Sequence, residues 1–205
     1  MFDRLALKYL KPVIDAGARE FASRGWTADQ VTFAGFGIGI AAALLIAAGY
    51  TWLALLPLLT GRLLDGIDGA VARLNAASDR GAFLDIGLDF VFYAAIPLSF
   101  AVLDANRNGL AAATLLAAFI ATGTTFLAYA VIAEKRGLKS ADYPGKSFYY
   151  LGGLTEGTET IVCFVLMCVW PHLFALFAYI YAAMCAITTA TRLAAGWSAF
   201  GTPKE

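Results

Sequence analysis

Residues 65–90 read DGIDGAVARLNAASDRGAFLDIGLDF. They set four acids, Asp65, Asp68, Asp85 and Asp89, inside sequence that is otherwise apolar. The windows 52–73 and 82–103 around them each reach the ~20 residues a helix needs to cross ~30 Å of hydrocarbon. Asp65 and Asp68 are three apart and share a face of one helix, and Asp85 and Asp89, four apart, share a face of the next. The connecting turn centres near residues 76–77, so the acids are almost symmetric about it. At a rise of ~1.5 Å per residue, Asp68 and Asp85 lie at one depth, with Asp65 and Asp89 about one turn deeper. Two antiparallel helices are therefore expected to gather all four carboxylates into one cluster.

Working outward, the rest of the chain explains where such a pair of helices would sit. Of 205 residues, 60% are apolar and only 15% charged, whereas soluble domains run closer to about 45–50% apolar and about 25% charged. A single ordinary core cannot hide that much apolar surface. A cytosolic enzyme, a disordered chain and a secreted disulfide scaffold are excluded. Fifteen basic residues balance fifteen acidic ones, so no nucleic acid partner is expected. Apolar windows at 31–50, 52–73, 82–103, 110–133, 148–170 and 172–197 predict an all-α integral membrane protein. The expected architecture is one domain, 1–205, with a six-helix transmembrane bundle over 31–197. Ahead of it, residues 1–24 alternate apolar and basic positions at helical spacing, as an amphipathic helix lying at the membrane interface does. Lys and Arg crowd the N-terminal segment, the second and fourth connections and the C-terminus, which predicts both termini on the cytoplasmic side. Cys163, Cys168 and Cys185 lie in apolar runs without metal-ligand spacing and read as buried small hydrophobes.

Ionisable groups within membrane spans are costly and point to function. Four close carboxylates in a medium of low permittivity repel one another and have lost hydration, so they need either protons or cations. Two divalent ions would balance four carboxylates, and hard oxygen ligands suit Mg²⁺ or Mn²⁺. Paired metals of that kind serve phosphoryl chemistry. Gly66, Gly69, Ala72 and Gly81 leave room beside the acids for a base or diphosphate. Gly35 and Gly39, and Gly153 and Gly157, read instead as close packing positions. A cation or proton transporter is the alternative, but a relay needs acids spread through the bilayer, and these share one half of it.

At these residues the chain resembles the CDP-alcohol phosphotransferases (CDP-alcohol phosphatidyltransferases), whose signature D-x2-D-G-x2-A-R-x7/8-G-x3-D-x3-D is complete here. The run KSFYYLGGLTEGTET, 146–160, is similar to a short bacterial inner-membrane branch of that family. The resemblance implies that Asp65, Asp68 and Asp85 ligate two metals, with Asp89 at the second metal and acting as general base. It implies that Gly69, Ala72, Arg73, Ser78 and Gly81 hold the nucleotide and diphosphate of a CDP-linked lipid donor. It also implies a small hydroxyl acceptor, met by Lys146, Ser147, Glu156, Glu159 and Arg192, a location in the lipid bilayer of a bacterial inner membrane, and a homodimer. Glu156 and Glu159 are expected on one face of the fifth span, where they can pair with Arg192 or Arg62, bind acceptor hydroxyls or meet an amine such as that of serine or ethanolamine. Where the family often has a T-P-N-x-x-T stretch, this chain has Thr27-Ala28-Asp29-Gln30-Val31-Thr32, and Asp29 is expected to cap the first span.

Overall fold

Small polar residues and glycines cut the apolar chain into helices whose ends are satisfied locally. The computed structural model describes residues 3–75, 77–137 and 153–201, with side chains from residue 9 onward. Its helices are α1 (Asp3–Ser23), α2 (Ala28–Ala47), α3 (Thr51–Asn75), α4 (Asp79–Leu103), α5 (Ala105–Lys135), α6 (Gly157–Val169) and α7 (Phe174–Phe200), with a short 3-10 turn at Pro171–Leu173. No strand occurs among the described residues.

The start of α2 corrects one expectation. Thr27, not Asp29, is its cap: the Gln30 amide donates to Thr27 Oγ1 at 3.3 Å while the Thr27 amide donates to Gln30 Oε1 at 2.9 Å. This reciprocal pair satisfies two N–H groups that the helix itself leaves without acceptors. Ser78 caps α4 through the Gly81 amide at 3.1 Å, and Asp104 caps α5 through the Arg107 amide at 3.0 Å. Gly49 closes the turn between α2 and α3 at φ +89°, a backbone region that side chains avoid.

Among the described residues, four stretches are long and apolar enough to cross a membrane: α2, α4, α5 and Pro171–Phe200. The second expected window forms a helix, α3, 25 residues long, but it carries Arg62, Asp65, Asp68 and Arg73 and is not among those four. In the fifth, α6 has only 13 residues, about 20 Å of helix, and starts at Gly157 rather than at 148. Residues 148–152 lie outside the described residues. The expected N-terminal helix is also docked on its neighbours: Ile14 and Ala18 of α1 bury against Ile67, Ala70 and Val71 of α3 and Val31 of α2. Gly66 belongs to this contact, since a Cβ there would meet Ile14 Cδ1 at 3.1 Å. Gly66 thus makes room for α1 rather than for a ligand.

Contacts at both ends show that α5 and α7 run side by side in the same direction. At one end Arg107 Nη2 donates to the His172 carbonyl at 2.7 Å, and at the other Arg136 Nη2 donates to the Phe200 carbonyl at 2.9 Å. Between them an apolar core joins α2 to α7, with Phe92, Phe100, Phe164 and Phe174 fully buried. Phe100 stacks on Phe174 with centroids 4.5 Å apart. All three cysteines are reduced and buried, as expected. The outside is also apolar, with Trp52, Leu56, Leu110 and Ile120 exposed, an exterior suited to hydrocarbon.

The α2–α3 contact brings backbone directly against backbone. A Cβ at Gly61 would stand 2.9 Å from the Gly35 carbonyl oxygen and 3.1 Å from the Gly39 nitrogen. Gly35 and Gly39 therefore act in packing, as their spacing suggests. Gly153 does so too, but from the segment before α6 rather than from within a helix: a Cβ there would meet Thr188 Cγ2 at 2.4 Å.

Candidate metal and donor site

The caps at Thr27 and Ser78 fix where α2 and α4 begin, and the glycine contact fixes α3 against α2. These three constraints set the depth of every acid. One carboxylate oxygen each from Asp65, Asp68 and Asp85 lies within 4.8 Å of the others. The trio is graded outward, from buried Asp68 through half-buried Asp65 to exposed Asp85. Asp68 is only 4% exposed, and its buried Oδ2 has no hydrogen-bond partner. An unpaired buried carboxylate oxygen is strongly unfavourable. Three hard oxygen donors around it form the ligand chemistry that Mg²⁺ or Mn²⁺ takes, so these residues fit a divalent ion.

Asp89 does not join the trio. Arg62 Nη1 donates to Asp89 Oδ1 and stands 3.4 Å from Asp65 Oδ2. The guanidinium lies over the Phe92 ring at 4.1 Å from its centroid and near the Tyr93 ring at 5.8 Å. The expected cluster of four is thus three acids plus a fourth held by an arginine. Arg62, expected among the partners of Glu156 or Glu159, instead directs its bonds to Asp89 and Asp65. The available signal is its place three residues before Asp65, on the same helical face.

The expected donor residues gather around the α3–α4 turn. A Cβ at Gly69 would meet only Arg73 Nη1, at 3.7 Å, so the helix surface there is open. Arg73 and Ser78 are exposed and Ala72 is half-buried. Ser78 Oγ is engaged as the α4 cap. A Cβ at Gly81 would lie 3.3 Å from that Oγ and 3.4 Å from Asp29 Oδ1. Asp29, freed from capping, is ion-paired with Arg80. The start of α2 thereby stands beside the start of α4.

Of the expected acceptor residues, Glu156, Glu159 and Arg192 lie in a second polar region among α5, α6 and α7. Glu156 is buried and precedes α6 as its N-terminal boundary residue, with Oε1 accepting from the Gly153 amide at 3.2 Å. Glu159 lies in the first turn of α6, so the two do not share a helix face as expected. Arg192 is buried on α7, with Nη1 donating to the Thr122 carbonyl at 3.0 Å and its guanidinium 5.3 Å from the Phe126 centroid. Lys146 and Ser147 lie outside the described residues. Threonines fill the remainder, including Thr122, Thr155, Thr160, Thr188 and Thr189.

An apolar-sided helical bundle with an acid trio that fits a divalent cation, beside a bare helical turn, is an arrangement that a metal-dependent membrane transferase could use. A sequence model of CDP-alcohol phosphatidyltransferases matches residues 26–197, and the chain belongs to that family. It is therefore a transferase of phospholipid synthesis, in a family dependent on divalent metal. The chain is 48% identical over 205 residues to the inner membrane protein YnjF of Escherichia coli (strain K12), covering 100% of this chain and 98% of that one. Its fold is shared with the phosphatidylinositol phosphate synthase of Mycobacterium tuberculosis. With CDP-DAG bound, that structure gives a TM-score of 0.71 at 23% identity, covering 91% of this chain and 94% of the other. In complex with manganese and citrate it gives 0.68 at 24% identity, covering 90% and 88%.

Proposed function

We propose that the chain transfers the phosphatidyl group of a CDP-linked lipid, CDP-diacylglycerol first among them, to the hydroxyl of a small acceptor, releasing CMP. The observation that carries this reading is the convergence of Asp65, Asp68 and Asp85 within 4.8 Å around an unpartnered oxygen of Asp68. With Asp89, these residues would hold two Mg²⁺ or Mn²⁺ ions. Such ions, when bound, neutralise the diphosphate and the charge that develops on the attacking and leaving oxygens.

The protein's own groups do the rest. Asp89 takes the acceptor's hydroxyl proton. The acceptor oxygen bonds to the phosphorus that carries the lipid alcohol, the bond from that phosphorus to the bridging oxygen breaks, and the electron pair leaves on CMP. Gly69 and Ala72 let the nucleotide approach the α3 backbone, while Arg73, Ser78 and Gly81 hold its diphosphate, Arg73 through charge-assisted hydrogen bonds. Arg192, Glu156 and Glu159, with Lys146 and Ser147, form the acceptor side.

In this reading the chain is one domain, 1–205, in the bacterial inner membrane. Six spans within 31–197 include α3 and the segment containing α6, α1 lies at the interface, both termini face the cytosol and two copies pair. The name of the E. coli relative and the distribution of Lys and Arg support this placement.

The test is CMP release by the purified protein in detergent, offered CDP-diacylglycerol with glycerol 3-phosphate, inositol phosphate, serine and plain polyols in parallel. Lipid products are identified by mass spectrometry. Release should require Mg²⁺ or Mn²⁺ and stop on EDTA addition. Release that persists in EDTA, or none with any acceptor, sinks the proposal.

A further inference from the structure

Arg62 is the one feature of the acid site that the transfer chemistry above does not use. Its side chain is only 11% exposed. Nη1 touches both Asp89 and Asp65, the two acids about one helical turn further along their helices from the α3–α4 junction. A divalent ion sharing those two carboxylates needs oxygens at roughly 2.1 Å, so it would have to occupy the space this nitrogen fills. Charge gives the same answer. Four carboxylates less one guanidinium leave three negative charges. One divalent ion in the Asp65–Asp68–Asp85 trio leaves one, and a second, with Arg62 still in place, would make the site positive. The first ion meets no such obstacle, because Asp68 Oδ2 is already bare.

Arg62 also has somewhere to go. Its guanidinium lies 4.1 Å from the Phe92 centroid, a contact that does not depend on Asp89. Its Nε has no hydrogen-bond partner, so the side chain is not locked at every donor.

From this geometry, and resting on the two-ion reading above, we infer that Arg62 is a resident cation that competes with the second divalent ion for Asp89. The ions then bind in order. The first enters the trio of acids, and the second enters only as Arg62 withdraws from Asp89 and Asp65. Arg62 is a positioning residue: in the absence of the second ion it keeps Asp89 paired and oriented inside the bundle.

The test is a Mn²⁺ titration of the full-length protein in detergent, with free Mn²⁺ counted by electron paramagnetic resonance and folding checked by circular dichroism. The native protein should bind in two steps separated by roughly a hundredfold. In Arg62→Met the second step should tighten by roughly tenfold or more while the first changes little. Arg62→Lys keeps the charge and should stay near the native pattern. Asp89→Asn should lose the second step and keep the first, which still tests the exchange if Arg62→Met does not fold. Two native sites of equal affinity, or unchanged steps in Arg62→Met, overturn the exchange. So does a Lys variant that behaves like Met, because lost packing would then explain the effect. No Mn²⁺ binding by the folded native protein overturns the metal reading itself, and the exchange with it.

Discussion

Two polar regions interrupt the apolar bundle: each holds carboxylates and an arginine, and the second adds a set of paired hydroxyls. At the α3–α4 junction the groups are carboxylates and an arginine, and a buried oxygen of Asp68 is left without a partner. Among α5, α6 and α7 the hydroxyls answer one another. Thr122 and Thr189 meet at 3.0 Å, Thr155 donates to Thr188 at 3.1 Å, and Thr160 meets the Tyr181 hydroxyl at 2.7 Å. Buried polar groups that are mutually satisfied fix a shape, whereas one left unsatisfied is free to bind something else. The bare Asp68 oxygen therefore fits the ligand-binding role proposed for the first region, whereas these threonine pairs hold helices together.

The strongest way to break that contrast is Asp68→Asn. It removes the central charge of the trio but little volume, and CMP release should fall by roughly a thousandfold or more. Melting temperature should hold or rise, because a buried unpaired carboxylate is gone. A variant that melts lower yet keeps its turnover would make the trio a structural cluster instead.

Thr188→Val probes the other region. Thr188 Oγ1 accepts from the Leu154 amide at 3.2 Å and from Thr155, and donates to the Met184 carbonyl at 3.0 Å. Its loss leaves those donors stranded and should lower stability by about 1–3 kcal/mol, read by thermal melting, with turnover per folded molecule changed by no more than a few-fold. Intact stability with lost turnover would move this threonine into the substrate's path.

The mildest change is Thr27→Ala, which deletes the α2 cap and should cost about 1 kcal/mol. Because Asp29 follows two residues later and lies beside Gly81, the same variant sharpens the comparison. A drop in donor affinity beyond the loss of stability would tie the start of α2 to the nucleotide.

These regions also differ in how far the sequence reveals them. Three of the four aspartates are legible because they lie on two adjacent helices joined by a tight turn, where helical spacing alone fixes depth and face. The departure of Asp89 is not legible, because it depends on Arg62, 27 residues earlier, choosing among several acids within its reach. The threonine pairs are separated by 33 and 67 residues, and a hydroxyl carries no periodicity that points to its partner. The α2 cap is legible in principle, since Thr27-x2-Gln30 is the capping-box pattern. Asp29 is as good a capping residue by type, but it serves Arg80 instead. The length of α6 depends on where the backbone turns near Glu156, and an apolar run does not mark that point.

The meeting of Gly61 with Gly35 and Gly39 reaches further than packing. It lies one helical turn before Asp65, so the first two acids take their axial position from a place where side chains are missing. A single methyl at position 61 would press on a neighbouring carbonyl and slide the whole acid-bearing rod along its partner. The carboxylate oxygens would lose their common level without any of them being altered. The level of the acids therefore rests on a hydrogen atom at position 61 as well as on the carboxylates' own helices.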